Sequence, residues 1–165
     1  MKPILDPGSG LPHIALTCID PGPKASGFLT WFPDDPEPLG VAEQLGNEPL
    51  FDLLRVSARP SCVAVEMVAC YGMAVGAEVF ETCLAIGRIV EICAVRGIEC
   101  RPVYRRDIKL HLCGSARAKD GNIRQALIDI YGAPGTKKSP GKIYGISGHL
   151  WAALALAHYV STSGK

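Results

Sequence analysis

Two acidic residues end apolar stretches of this chain: Asp20 closes HIALTCID (13–20) and Glu66 closes SCVAVE (61–66). A carboxylate is costly to bury, so an acid at the end of a hydrophobic strand needs a reason to be there. On adjacent strands of one sheet the two groups would share an edge, about 5 Å apart. Held that close they repel one another unless a divalent cation sits between them. Mg²⁺ suits such a place, since it favours hard oxygen ligands and retains waters that can be activated. Taken singly, either acid could equally face solvent or cap the next turn. His149 is the third candidate, following the Gly-containing turn 144–148 and opening the apolar run 150–157. Its imidazole could ligate a metal, move a proton, or make an N-terminal contact on its own helix. His13, His111 and His158 carry no comparable signal.

The elements that must position these groups follow from periodicity and turn residues. Residues 1–12 (MKPILDPGSGLP) read as a loose Pro/Gly-rich lead-in, and 13–162 as a single domain. Strands are expected at 13–19, 27–32 and 40–45, then a helix over 48–56 with leucines at helical spacing. A strand at 61–66 precedes a long helical pattern at 74–96, and 99–103 reads as a further strand. A basic helix begins near Arg106 and breaks at Gly114; another runs over 119–131. The tract GAPGTKKSPGKIYG (132–145) reads as a loop, and 147–160 as an almost wholly apolar helix. Strands first, then strands alternating with helices, predict one α/β domain with a mixed sheet flanked by helices.

Composition sets the class. Of 165 residues 48% are hydrophobic and 20% charged, which suits a soluble globular domain and excludes a disordered one. Seven cysteines, an odd number without a C-x-x-C pair, sit mostly in apolar runs and read as small hydrophobes. No leader-like apolar region and no apolar run of about 18 residues is visible, so the expectation is a reduced, cytoplasmic protein without a membrane span. The formal charge of +1 argues against a basic nucleic-acid binder until the charges are placed. Between Arg101 and Lys142 lie ten basic and three acidic residues, a balance of +7; the remaining seven basic and thirteen acidic residues balance at −6. Such a basic block points to a polyanion docking on one face. The loop CYGMAVG after Glu66, with Tyr71 and Met73, could wedge against unpaired bases or pack in the core.

Several of these segments together resemble a known family. Asp20-Pro21-Gly22 with Gly27 resembles the opening of RuvC-type Holliday junction resolvases. VEMVACYGM (65–73) and the helix through Ile86-Gly87-Arg88 look like the second acidic motif and dimer helix of the bacteriophage RuvC-like subgroup. KLHLCGSARAKD (109–120) and GTKK (135–138) are similar to the same group, KLHLCGSARAKD being the most specific. The likeness spans roughly 13–160 and implies an RNase H-like fold. It implies a Mg²⁺-dependent endonuclease acting on four-way and related branched DNA, with two Mg²⁺ ions on Asp20 and Glu66 and with Mn²⁺ as a substitute. His149 falls where the family has Asp or His, either ligand or acid–base group. Lys119 falls where a lysine supports catalysis. Lys109, Arg117, Lys119, Arg105, Lys137, Lys138 and Tyr71 are the expected DNA contacts. The helix over 75–90, through Val75, Val79, Ile86 and Val90, would pair two subunits, and a twofold dimer suits a junction with two equivalent scissile strands.

One position departs from the pattern. One helical turn after His149 the bacterial family has another Asp, and here the residue is Ala152. Either the phage group manages without it, or Asp120 supplies a replacement, or the chain binds junctions without hydrolysing them. An actin-like ATPase, which shares an Asp-Pro-Gly turn, needs two related domains and ranks last.

Overall fold

The structure is a computed structural model and describes residues 15–57, 60–70, 72 and 74–163. A five-stranded sheet carries the fold, in the order β3-β2-β1-β4-β5. Its strands are β1 (Leu16–Asp20), β2 (Ala25–Trp31), β3 (Leu39–Gly46), β4 (Cys62–Met67) and β5 (Glu99–Tyr104). The first three form an antiparallel meander, while β1, β4 and β5 run parallel, so the sheet is mixed as expected. The central strands β1 and β4 are covered on both faces, which is why they read as unbroken apolar runs rather than as alternating ones.

Two cores result. On one face Ile19, Val63 and Val65 pack with Phe51 and Leu54 of α1 (Asn47–Val56) and Ile86 and Ile89 of α2 (Ala77–Val95). On the other face Leu16, Cys18 and Ala64 pack under α5 (Leu150–Thr162), with Ile108 of α3 (Arg105–Cys113) and Ile123 and Leu127 of α4 (Asp120–Tyr131). Because α5 lies between the sheet and these two helices, it is apolar nearly all round. Gly114 ends α3 in a left-handed conformation (φ 65°), its N–H donating to the Leu110 carbonyl at 2.9 Å.

Several expectations shift. The long helix begins at Ala77 rather than 74, and the last at Leu150 rather than 147. The expected loop 132–145 holds a small antiparallel hairpin, β6 (Gly135–Thr136) with β7 (Ser139–Pro140). Ile86, expected on a subunit-pairing face, is buried in the core of its own chain. Val90, expected on the same face, is exposed, and the apolar outer side of α2 also carries Phe80, Leu84 and Val95. A helix meeting a sheet on one side must turn a single stripe inward, and Ile86 shares that stripe with Ile89 and Cys93.

Candidate active site

Strand alternation decides where the two acids point. Ile19 pairs with Val65 across parallel β1 and β4, and Asp20 and Glu66 each follow by one residue. With period 2 they share the face of Cys18 and Ala64, under α5 rather than α1 and α2. Both strands end there, so the carboxylates stand together at one edge.

His149 comes over them from above. Gly27 lies opposite Asp20 in the β1–β2 register. A Cβ on Gly27 would stand 3.2 Å from the His149 carbonyl oxygen and 3.5 Å from the Asp20 Cβ. The missing side chain is what lets the start of α5 descend onto the strand end. His149 Nδ1 then reaches to 3.5 Å from Asp20 Oδ2 while most of its ring stays exposed.

Arg105, expected among the DNA contacts, is in the middle of the site. The first residue of α3, it directs one guanidinium nitrogen to both Glu66 oxygens (3.0 and 3.3 Å) and the other to Asp120 Oδ1 (2.8 Å). Met67 pairs with Tyr104, so Arg105 leaves β5 beside the strand that carries Glu66. The one signal in the sequence is an arginine directly following a strand next to an acid-bearing one. Asp120, at the N-terminus of α4, is held by Arg105 and lines the same cleft as Asp20.

These groups line a cleft of about 640 Å³ with Asp20, Glu66, Arg105, Asp120, Arg124 and His149 around it and Ala152 and Trp151 on its α5 side. Arg124 lies over the Trp151 ring at 4.9 Å. Burial pushes the Glu66 carboxyl up to about 7, Asp20 adding to the rise and Arg105 opposing it. Burial also raises Asp20, with Arg105 and His149 pulling it back. Asp120 is lowered by its hydrogen bond to Arg105. Two carboxylates whose anionic forms are destabilised together make an electron-rich pair that gains from a cation.

The donor chemistry fits one divalent ion on Asp20, Glu66 and His149. As the side chains stand, no three His, Cys, Asp or Glu groups among the described residues converge as a ready cage, Glu66 being turned to Arg105 and Asp20 to His149. A second ion finds fewer donors: Ala152 offers a buried methyl, and a guanidinium already stands between Glu66 and Asp120.

Of the other expected residues, Lys109 is half-buried and close enough to Asp120 to act on its charge. Lys119 precedes Asp120 but is exposed and does not line the cleft; its backbone N–H donates to Asn122 at the start of α4. Arg117, Lys137 and Lys138 are exposed, the last two at the turn of the β6–β7 hairpin. Tyr71 and Met73 lie outside the described residues, as does His13.

The mixed five-stranded sheet with helices on both faces is an RNase H-like fold of the RuvC kind. The solved "Thermus thermophilus RuvC structure" superposes with a TM-score of 0.66 at 20% identity, over 91% of this chain and 95% of that one. T. thermophilus RuvC in complex with a Holliday junction substrate matches with a TM-score of 0.67 at 19% identity, covering 92% and 97% respectively. No protein-family model and no curated protein matches the chain.

Proposed function

We propose that this chain is a structure-selective DNA endonuclease that resolves four-way junctions and related branches by metal-dependent phosphodiester hydrolysis. The observation that carries the reading is the pair of strand-end acids, Asp20 and Glu66, set on adjacent parallel strands beneath His149. They stand in a fold shared with a protein solved in complex with a Holliday junction substrate. The run of basic residues from Arg101 to Lys142 supplies the positive surface that a phosphate backbone needs. The segment 109–120 aligns the reading with the bacteriophage subgroup.

In this reading Asp20, Glu66 and His149 hold Mg²⁺, or Mn²⁺ in its place. The ion supplies an activated water and charge stabilisation at the phosphate. The protein groups do the rest. His149, exposed over Asp20, closes the ion's place from the α5 side. Arg124 presents positive charge in the cleft, and Lys109, Lys119, Arg117, Lys137 and Lys138 contact backbone further out. The apolar outer side of α2, led by Phe80 and Leu84, pairs two copies so that two cuts fall symmetrically.

A second reading, junction binding without hydrolysis, is favoured by Ala152 and by the guanidinium on Glu66. Incubating a four-way junction with the protein in Mg²⁺ or Ca²⁺ separates the two. Symmetric nicks in Mg²⁺, with binding alone in Ca²⁺, are expected. Tight junction binding without nicking in Mg²⁺ or Mn²⁺ would establish the second reading. Equal affinity for linear duplex would remove both.

A further inference from the structure

Arg105 has no part in a plain carboxylate metal site, yet it is the most committed side chain in the cleft. It is three-quarters buried, makes three hydrogen bonds to two carboxylates, and starts its helix at a position fixed by the β4–β5 register. A lysine in its place would meet these acids with one compact ammonium; the planar guanidinium spans both at once and stays charged at any working pH.

The charges around it limit what else can enter. Three carboxylates, Asp20, Glu66 and Asp120, face two guanidinium groups, Arg105 and Arg124, leaving the cleft at −1 with His149 neutral. One divalent cation and one phosphodiester bring that to zero. A second ion would leave two positive charges in excess and would have to sit where the Arg105 fork already bridges Glu66 and Asp120. On the α5 side beyond His149, Trp151 and the Ala152 methyl line the cleft, and neither offers a metal-ligating atom.

We infer that Arg105 is the built-in second cation of this site: clamped between Glu66 and Asp120, it takes the place of a second metal ion, and the chain binds one divalent ion instead of two. The inference rests on the metal-dependent site proposed above and gives its groups different duties. Asp20, Glu66 and His149 hold the ion. Asp120 is a positioning residue that holds the guanidinium against Glu66. Arg105 offers its remaining N–H groups and its fixed charge to a non-bridging phosphate oxygen, where negative charge grows as the diester is attacked.

Metal counting tests this directly. Mn²⁺ alone is titrated into the full chain and followed by calorimetry and by electron paramagnetic resonance. The wild-type chain is expected to bind one ion with an uncoupled signal. Ala152→Asp alone should still bind one, because Arg105 remains in place. Arg105→Ala should bind its ion roughly tenfold more tightly, having lost a neighbouring positive charge. Arg105→Lys should keep both the single ion and an affinity near wild type. Arg105→Ala combined with Ala152→Asp should take up two ions, with the spin coupling expected at a spacing of about 4 Å.

Two ions on the wild-type chain would overturn the inference. So would a second ion recruited by Ala152→Asp alone, a double variant that still binds one, or no bound Mn²⁺ across the millimolar range. The functional reading fails separately: a chain that binds one Mn²⁺ yet neither binds nor cuts junctions sinks the resolvase proposal and leaves the ion count standing. A chain that cuts junctions with a coupled ion pair does the reverse.

Discussion

Glu66 shows how a proposed site residue differs from a core residue. Its neighbours Val63, Ala64 and Val65 are fully buried and contribute to stability, while Glu66 is a nearly buried acid that the fold strains to ionise. Its carboxyl binds a proton more tightly in the folded chain, at about 7 against an ordinary 4.5. Folding therefore keeps its full contribution from this group below about pH 4.5 and loses it as the pH rises through about 7. Asp20, Asp120 and Arg105 all face the group and are included in that balance. In the presence of a chelator, Glu66→Gln should stabilise the protein at pH 8 by on the order of 2 kcal/mol and change little at pH 4, read from denaturant midpoints. An unchanged or lowered midpoint at pH 8 would show that the ionised acid is well accommodated. The same variant, like Asp20→Asn, should keep junction binding in Ca²⁺ and lose cleavage in Mg²⁺ by at least about a hundredfold, measured on labelled junctions. Loss of binding in both variants would instead place the acids in the docking surface.

At the scale of elements, the sequence carries most of the order and little of the facing. Apolar runs bounded by turn residues locate β1, β4 and α5, because burial on both sides leaves a continuous hydrophobic signature. The strand-end position of Asp20 and Glu66 is legible for the same reason: an acid interrupts such a run only at its end. Arg105 is far less so: it is one positive residue among ten in a basic block, set apart only by directly following a strand. Its role depends on the β4–β5 register, a long-range pairing that local pattern does not fix. The facing of α2 is hidden likewise. Apolar residues on both sides of the helix blur its stripe, and only packing shows that Ile86 looks inward while Phe80 and Leu84 look out. These two outward positions separate the proposed pairing of copies from folding. Phe80→Glu with Leu84→Glu should leave thermal stability within a few degrees of wild type, as both side chains are 63–71% exposed, but give a monomer by sedimentation. Ile86→Glu, 5% exposed, should fail to fold, through burial of an unpaired charge. A double variant that sediments as a dimer would move the proposed interface off α2.

Across the whole molecule, charge is divided rather than absent. The stretch from Arg101 to Lys142 holds a balance of +7 and the rest −6, so a total of +1 conceals a polar molecule in the electrostatic sense. The fold gives that division a geometry. The basic stretch contributes β5, α3, α4 and the β6–β7 hairpin, which lie on and beside the face where α5 covers the sheet. The cleft opens on that same face, so in the proposed function a backbone drawn to the lysines and arginines would arrive at Asp20 and Glu66. Part of the positive charge lies off the outer surface proposed for docking, because Arg105 is set inside the cleft and Arg101 is paired with Glu99 at 2.6 Å. The exposed remainder, Arg117, Lys119, Lys137 and Lys138 among it, should set the salt dependence of binding. Each phosphate that is no longer neutralised lowers the slope of log K against log salt by roughly one. Lys137→Gln with Lys138→Gln should therefore flatten the slope for a four-way junction by about two in Ca²⁺, measured by fluorescence anisotropy across a salt series. Arg101→Gln should leave it nearly unchanged, its guanidinium being committed to Glu99. Were Arg101→Gln to flatten the slope as much as the lysine pair, the DNA would have to run along β5 at the sheet edge rather than across the hairpin and α4.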